Sequence, residues 1–140
     1  MARRRCEVYV HLVWTTWQRL PLLRDGVREA ALDAVAAKCQ HLGAHPLAVG
    51  GMPDHVHVAA RIAPTVSVST LCGQMKGYSS YQVQRRISPV TAFRWQDGYA
   101  AFSFAADDLG AVVRYIEDQP HHHASLSTLD TLEPVDDTGP

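Results

Sequence analysis

The sequence predicts a single α+β domain in which helices cover one face of an antiparallel sheet, and three observations predict it. The length of 140 residues fits one domain with its own hydrophobic core. Apolar residues form 46% and charged residues 19% of the chain, as in ordinary globular proteins. Segments rich in β-branched and aromatic residues follow segments with helical apolar spacing in the order β-α-β-β-α-β, before a last helix.

Capping and turn residues delimit these elements. Asp25 and Asp107 can each cap a following helix, and Gly43 and Pro120 can each end one. The Gly- and Pro-rich stretch at residues 50–54 predicts a tight turn between two antiparallel strands. The predicted strands are residues 7–15, 45–49, 55–62 and 99–104, and the predicted helices are residues 26–42, 68–87 and 108–118. This order is the split βαβ, ferredoxin-like sandwich, which leaves one sheet face open.

Charge is uneven along the chain although the formal net charge is −1. Residues 1–96 hold twelve Lys and Arg residues against five acidic ones, whereas residues 97–140 hold one Arg against nine acidic ones. A basic body fits a phosphate-binding surface as well as an ordinary solvated surface. We therefore predict a domain at residues 1–123 and an acidic, disordered tail at residues 124–140.

The chain is predicted to be cytoplasmic. No apolar run approaches the roughly 20 residues of a membrane helix, and the N-terminal segment lacks the apolar core of a signal peptide. Cys6, Cys39 and Cys72 are odd in number and widely spaced, and they form no zinc pattern. We expect them to be buried free thiols.

His55 and His57 alternate with valines in a predicted strand, so both side chains should point to one face. Two neutral imidazoles on a rigid strand can bind one divalent ion, although a bare His-x-His pattern is more often a pair of half-exposed strand residues. Gln119 could add an amide oxygen, and such a neutral set with open positions suits Mg²⁺ or Mn²⁺. Asp54 is a further ligand, an acceptor that orients a ligand, or a plain turn residue.

Tyr115 is the candidate nucleophile because it lies four residues before Gln119, on the same face of a predicted helix. A phenol can attack phosphorus and leave a covalent phosphotyrosine. Its usual pKa of about 10 requires help from an ion or a neighbouring group. A helical tyrosine is by itself more often a packing residue, and the chain has four others, at Tyr9, Tyr78, Tyr81 and Tyr99.

Five ordered blocks over about residues 8–123 resemble the HUH-type single-tyrosine transposases of the 200/605 insertion-sequence type. The blocks are residues 9–14 (YVHLVW), 52–57 (MPDHVH), 76–80 (KGYSS), 93–99 (FRWQDGY) and 114–119 (RYIEDQ). The last residues depart from that family, because Pro120 and three histidines lead into an acidic tail where the family often has a basic one. These histidines are predicted to be solvated and not to be metal ligands.

The resemblance implies a function and a site. His55, His57 and Gln119 would bind Mg²⁺ or Mn²⁺, and Tyr115 would cleave and rejoin single-stranded DNA through a 5′-phosphotyrosine at hairpin-marked ends. The family acts as a homodimer in which the tyrosine helix can complete the partner's site. Candidate DNA contacts are Lys76, Arg85, Arg86 and Arg94.

Two other functions are consistent with the same sequence features. The chain could be a domesticated or inactive ferredoxin-like module that binds nucleic acid without cutting it. It could also be a metal-dependent hydrolase that uses water in place of the phenol. Trp14 and Trp17 could stack on bases, but core or interface packing is the more common role of such residues.

Overall fold

A computed structural model describes residues 5–87 and 92–118 and contains the predicted order of elements. The strands are β1 (Tyr9–Thr15), β2 (His45–Met52), β3 (His55–Arg61) and β4 (Ala100–Phe104), and the helices are α1 (Asp25–His41), α2 (Val68–Arg86) and α3 (Leu109–Glu117). Short 3-10 turns occupy Trp17–Arg19 and Ala106–Asp108. The strand order β2-β3-β1-β4, with every pair antiparallel, confirms the ferredoxin-like α+β sandwich.

The predicted boundaries differ most from the structure at β2. That strand continues through Gly50 and Gly51, which pair with His57 and Val56 of β3. The prediction ended β2 early because glycines usually mark turns. The turn itself is limited to Pro53 and Asp54, so the strand that carries the histidines is paired over its whole length on both sides.

The main hydrophobic core lies between the sheet and the layer formed by α1 and α2. β1 contributes Leu12 and Trp14, β3 contributes Val58, and the helices add residues such as Val35 and Met75, all almost fully buried. Alternate residues of β1 and β3 point away from this core, because side chains alternate across a strand. His55 and His57 of β3 therefore lie on the opposite sheet face.

That opposite face is partly covered by α3, which corrects the expectation of an open sheet face. Val112, Tyr115 and Ile116 of α3 form a second apolar cluster with Ala48 of β2 and Ala59 of β3. The α3 helix is strongly amphipathic in sequence, and its apolar side packs on the sheet. The tyrosine helix is thus part of the folded domain and packs directly above the histidine strand.

Two predicted helix caps are wrong. Asp25 is itself the first residue of α1, with a φ of +51°, and no side chain caps that helix. Asp107 lies in the 3-10 turn that precedes α3, and α3 also begins without a side-chain cap. The α2 helix is capped by Ser67, whose hydroxyl accepts a hydrogen bond from the Thr70 amide at 3.1 Å.

The prediction of buried free thiols is confirmed for Cys39 and Cys72, which are fully buried, whereas Cys6 is half-buried. Burial raises the pKa of Cys39 from 9.0 to about 11 and that of Cys72 from 9.0 to about 12. Across the residues that the structure describes, no helix has the length and hydropathy needed to span a membrane.

Thiol labelling should therefore separate the three cysteines. In native protein at pH 8, Cys6 is expected to react first, while Cys39 and Cys72 react only in denaturant, because the thiolate is the reactive form. Cys39 and Cys72 keep their thiol protons in the folded state at pH values where unfolded thiols have lost theirs. The free energy of unfolding should therefore fall as the pH rises from 9 towards 12. Kinetics of a chromogenic disulfide reagent measure the first effect, and Cys6→Ser should remove the fast phase; fast labelling that survives this change would contradict the burial.

Candidate active site

The two histidines of β3 lie together on the sheet face below α3. His55 is 1% exposed and His57 is fully buried, and their ring centroids are 5.1 Å apart. The predicted placement on one strand face is therefore confirmed, and the alternative of two half-exposed strand histidines does not hold, since both side chains are buried. Their role as metal ligands stays a prediction.

His55 is held by the residue that precedes it. Its Nδ1 lies 2.6 Å from Oδ1 of Asp54, and Oδ2 of Asp54 accepts from Nε of Arg19 at 3.2 Å. The hydrogen bond with His55 lowers the pKa of Asp54, partial burial opposes that shift, and the charge of Arg19 reinforces it. An ionised carboxylate can only accept, so Nδ1 of His55 carries the proton and Nε2 keeps its lone pair. The geometry supports Asp54 as the acceptor that orients His55.

His57 is held by a histidine that the sequence analysis did not single out. Nε2 of His11, in β1, lies 2.7 Å from Nδ1 of His57, and both side chains are fully buried. The two rings are stacked, with centroids 4.9 Å apart and planes 29° apart. The available sequence signal was a histidine inside an otherwise apolar central strand, two residues from the position paired with His57.

Tyr115 packs against this histidine pair. Its ring meets His57 edge to face at 5.7 Å between centroids and meets His11 in the same manner at 6.3 Å. The ring is 5% exposed. The structure thus brings the predicted nucleophile to the predicted ligands within one chain. Gln119, the predicted third ligand, lies outside the described residues.

The close approach of α3 depends on a glycine of β2. A Cβ atom built on Gly50 would lie 2.9 Å from both Cγ2 and the carbonyl oxygen of Ile116, which is closer than real Cβ contacts. Gly50 is paired with His57 in the sheet, and Ile116 directly follows Tyr115. The missing side chain at Gly50 therefore sets the height of the tyrosine above the histidines.

The side chains around His55 and His57 determine whether a divalent ion can be held there. Within the described ranges, no three side chains of His, Cys, Asp or Glu form a group suited to hold a metal ion. His55 and His57 each use Nδ1 for a hydrogen bond, so each can offer Nε2. Two imidazoles are too few for a closed structural site, and they suit an ion completed by an amide and by substrate oxygens. The two imidazoles would leave positions open on such an ion, and their role as ligands stays a prediction.

Three of the four predicted DNA contacts lie on α2, which packs on the sheet face opposite the histidines. The ammonium of Lys76 donates to the carbonyl oxygens of Gln96 at 2.7 Å and Gly98 at 2.8 Å, so it fastens the segment before β4 to α2. Arg85 and Arg86 are exposed at the end of α2, which packs on the other side of the sheet. The contacts of these residues with DNA stay predictions.

The aromatic residues around the same segment have packing roles. The guanidinium of Arg94 lies 3.8 Å from the ring centre of Trp17. Trp14 is buried, with its ring edge to face with Trp95 at 5.8 Å. Nε1 of Trp95 donates to the Ser79 hydroxyl at 2.9 Å. Of the two tryptophans considered for base stacking, only Trp17 remains accessible.

Comparison with known proteins agrees with this architecture. No curated protein matches the chain at a significant level. Among solved structures, a candidate transposase from Deinococcus radiodurans R1 is similar at 24% identity with a TM-score of 0.64, covering 85% of this chain and 98% of that chain. A REP-associated tyrosine transposase bound to a REP hairpin is similar at 16% identity with a TM-score of 0.62, covering 88% of this chain and 74% of that chain. Both likenesses concern the fold.

A family model adds what the fold alone does not show. The model described as "Transposase IS200 like" matches residues 5–119, which include β1, the histidine strand and the tyrosine helix. The match extends over most of the 140 residues. The chain therefore belongs to the IS200-like transposase family.

Proposed function

We propose that this transposase cleaves and rejoins single-stranded DNA through a covalent bond to Tyr115. The observation that supports it most is the contact of the Tyr115 ring with His57, 5.7 Å between centroids, above the face that also carries His55. A tyrosine placed for packing alone does not require two oriented imidazoles beside it. Nucleophile and metal ligands must be adjacent for phosphoryl transfer.

The proposed reaction exchanges one phosphodiester for another. The Oη atom of Tyr115 bonds to phosphorus, its proton leaves, and the bond from phosphorus to the 3′ oxygen breaks to give a 3′-hydroxyl and a 5′-phosphotyrosine. Attack by a 3′-hydroxyl on the adduct reverses the step and releases the phenol. The phosphoester bond is conserved throughout, so no external energy source is needed.

The residues of the chain have separate tasks in this scheme. A divalent ion, Mg²⁺ or Mn²⁺, held by His55, His57 and Gln119 would supply charge that polarises the scissile phosphate. Asp54 holds His55, and Arg19 holds Asp54. The packing of Ile116 on Gly50 keeps α3 in place, so Tyr115 stays beside the imidazoles. Orientation of this kind lowers the entropy lost on reaching the transition state.

The substrate is proposed to be a hairpin in single-stranded DNA, and the protein is proposed to act in the cytoplasm as a homodimer. Support for the hairpin comes from the REP hairpin bound to the REP-associated tyrosine transposase of similar fold. Exposed cations at Arg85, Arg86 and Arg94 would contact phosphates. The two tyrosine helices could then serve either subunit's site.

The decisive experiment is to look for the covalent adduct and locate it. Hairpin oligonucleotides taken from the DNA that flanks the gene are incubated with the protein and Mn²⁺, and the products are separated under denaturing conditions. We expect a protein-linked downstream fragment, its loss with EDTA, and a nucleotide phosphate on Tyr115 in peptide mass spectra. Cleavage without any adduct would favour a hydrolase, and an adduct on another tyrosine would overturn the assignment.

A second candidate is a nucleic-acid-binding module without cleavage, and the burial of Tyr115 favours it. The ring is 5% exposed and belongs to an apolar cluster with Val112 and Ile116, as a packing residue would. Under this reading hairpin binding is strong, no adduct forms with any metal, and Tyr115→Phe changes nothing.

Both candidates predict an electrostatic contribution from the end of α2. Changing Arg85 and Arg86 together to glutamate should weaken hairpin binding and reduce the slope of log affinity against log salt by about one per lost phosphate contact. Fluorescence anisotropy over a series of salt concentrations measures both quantities. Arg24→Glu, on the exposed residue before α1, is the matched control. An unchanged slope in the double variant would remove this helix end from the DNA surface.

A further inference from the structure

We propose that His11 is a positioning residue that fixes the tautomer and ring orientation of His57. This inference rests on the proposed function, because the contact allows two tautomers of His57 and only metal binding through its Nε2 selects between them. His11 lies on β1, next to the histidine strand, and its Nε2 is 2.7 Å from Nδ1 of His57. His11 belongs neither to the His-x-His pattern of β3 nor to the tyrosine helix.

A contact of 2.7 Å between two ring nitrogens requires one proton between them. A neutral imidazole has one nitrogen that donates and one that accepts, so only two arrangements are consistent with two neutral rings. Either Nδ1 of His57 donates to Nε2 of His11, or Nε2 of His11 donates to Nδ1 of His57.

Only the first arrangement lets His57 bind a metal through Nε2. When Nδ1 of His57 donates, its Nε2 keeps a lone pair for an ion, and His11 carries its own proton on Nδ1. When Nδ1 of His57 accepts, its lone pair is used in that hydrogen bond. A neutral His57 then carries its proton on Nε2, so neither nitrogen can bind an ion. His11 in the form that accepts at Nε2 therefore selects the competent tautomer of His57.

The two histidines of the site are oriented by chemically different partners. His55 faces the carboxylate of Asp54, which can only accept and so imposes one tautomer. His57 faces an imidazole, which can accept or donate. Complete burial of both rings makes an unmet hydrogen bond costly, and the stacked arrangement limits rotation of His57. His11 therefore contributes both a hydrogen bond and a stacked ring to the orientation of His57.

The first test is spectroscopic and uses the metal-free wild-type protein. The ¹⁵N shifts of the His57 imidazole are measured by NMR at a pH where the ring is neutral. We expect the form with the proton on Nδ1, which free histidine disfavours in water. A proton on Nε2 of His57 would overturn the assignment whether or not the protein binds metal.

The second test compares variants of His11 by Mn²⁺ affinity. His11→Phe keeps the ring and removes the acceptor, so His57 should move to the Nε2-protonated form and Mn²⁺ affinity should fall about 10- to 100-fold. His11→Gln offers an amide oxygen at a similar reach and should restore much of both properties. His41→Phe, at the exposed end of α1, is the matched control and should change neither.

These outcomes separate the inference from the proposed function. Unchanged Mn²⁺ affinity in a folded His11→Phe protein would overturn the positioning role. If the wild-type protein binds no Mn²⁺, the metal part of the proposed function fails, and the NMR result still decides the role of His11. If His11→Phe does not fold, rescue by His11→Gln together with the wild-type tautomer decides the question.

Discussion

Tyr115→Phe is expected to abolish the covalent adduct while the domain stays folded. Phenylalanine keeps the ring that packs edge to face on His57 and His11, and it removes only the Oη atom that would attack phosphorus. Loss of a nucleophile should lower adduct formation on the order of 10³-fold or more. The free energy of unfolding should change by no more than about 1.5 kcal/mol, the range for one hydrogen bond. Single-turnover assays on hairpin DNA and a urea titration measure the two quantities.

The exposed tyrosines provide the matched control. Tyr99 is 42% exposed and Tyr81 is 55% exposed, and removal of either hydroxyl should leave adduct formation unchanged. Mn²⁺ affinity should also survive Tyr115→Phe, because the phenol is not among the proposed ligands. If the adduct persists in Tyr115→Phe and disappears in Tyr99→Phe, the nucleophile is Tyr99 and not Tyr115.

Much of the fold could be predicted because its signals are local. Alternating and β-branched residues marked β1 and β3, helical apolar spacing marked α1 and α2, and the turn before His55 fixed their order. The placement of α3 could not be predicted in this way. Its amphipathic side was visible, but its close approach to the sheet depends on the contact of Gly50 with Ile116, two residues that are 66 positions apart in the sequence.

The residues of the candidate site also differ in whether local sequence patterns could predict them. His55, His57 and Tyr115 could be selected from residue types and spacing within single elements, and the structure brings them together. His11 could not, because its contact with His57 joins positions 46 residues apart and depends on the register of β1 against β3. The sequence allows three roles for Asp54, and its 2.6 Å contact with His55 favours that of the acceptor that orients this histidine.

Gly50→Ala is expected to displace the tyrosine helix without unfolding the domain. The new Cβ atom would lie 2.9 Å from the Ile116 carbonyl oxygen, and a backbone atom can yield only if α3 moves. The main core lies on the other sheet face and is not touched. Overpacking should cost about 1–3 kcal/mol. A shift of about 1 Å in Tyr115 should lower adduct formation on the order of 10²-fold.

Gly50→Ala and Tyr115→Phe should differ in their effect on Mn²⁺ affinity. Gln119 lies two residues after Glu117, the last residue of α3, in the sequence, so if it is the third ligand, displacement of α3 should lower Mn²⁺ affinity and adduct formation together. Tyr115→Phe should lower adduct formation alone. Gly73→Ala is the matched control, because its Cβ would meet nothing within 4 Å on an exposed position of α2. That change should stabilise the helix by about 1 kcal/mol and leave both readouts unchanged. Full Mn²⁺ affinity in a Gly50→Ala protein that has lost the adduct would separate the metal site from the tyrosine helix.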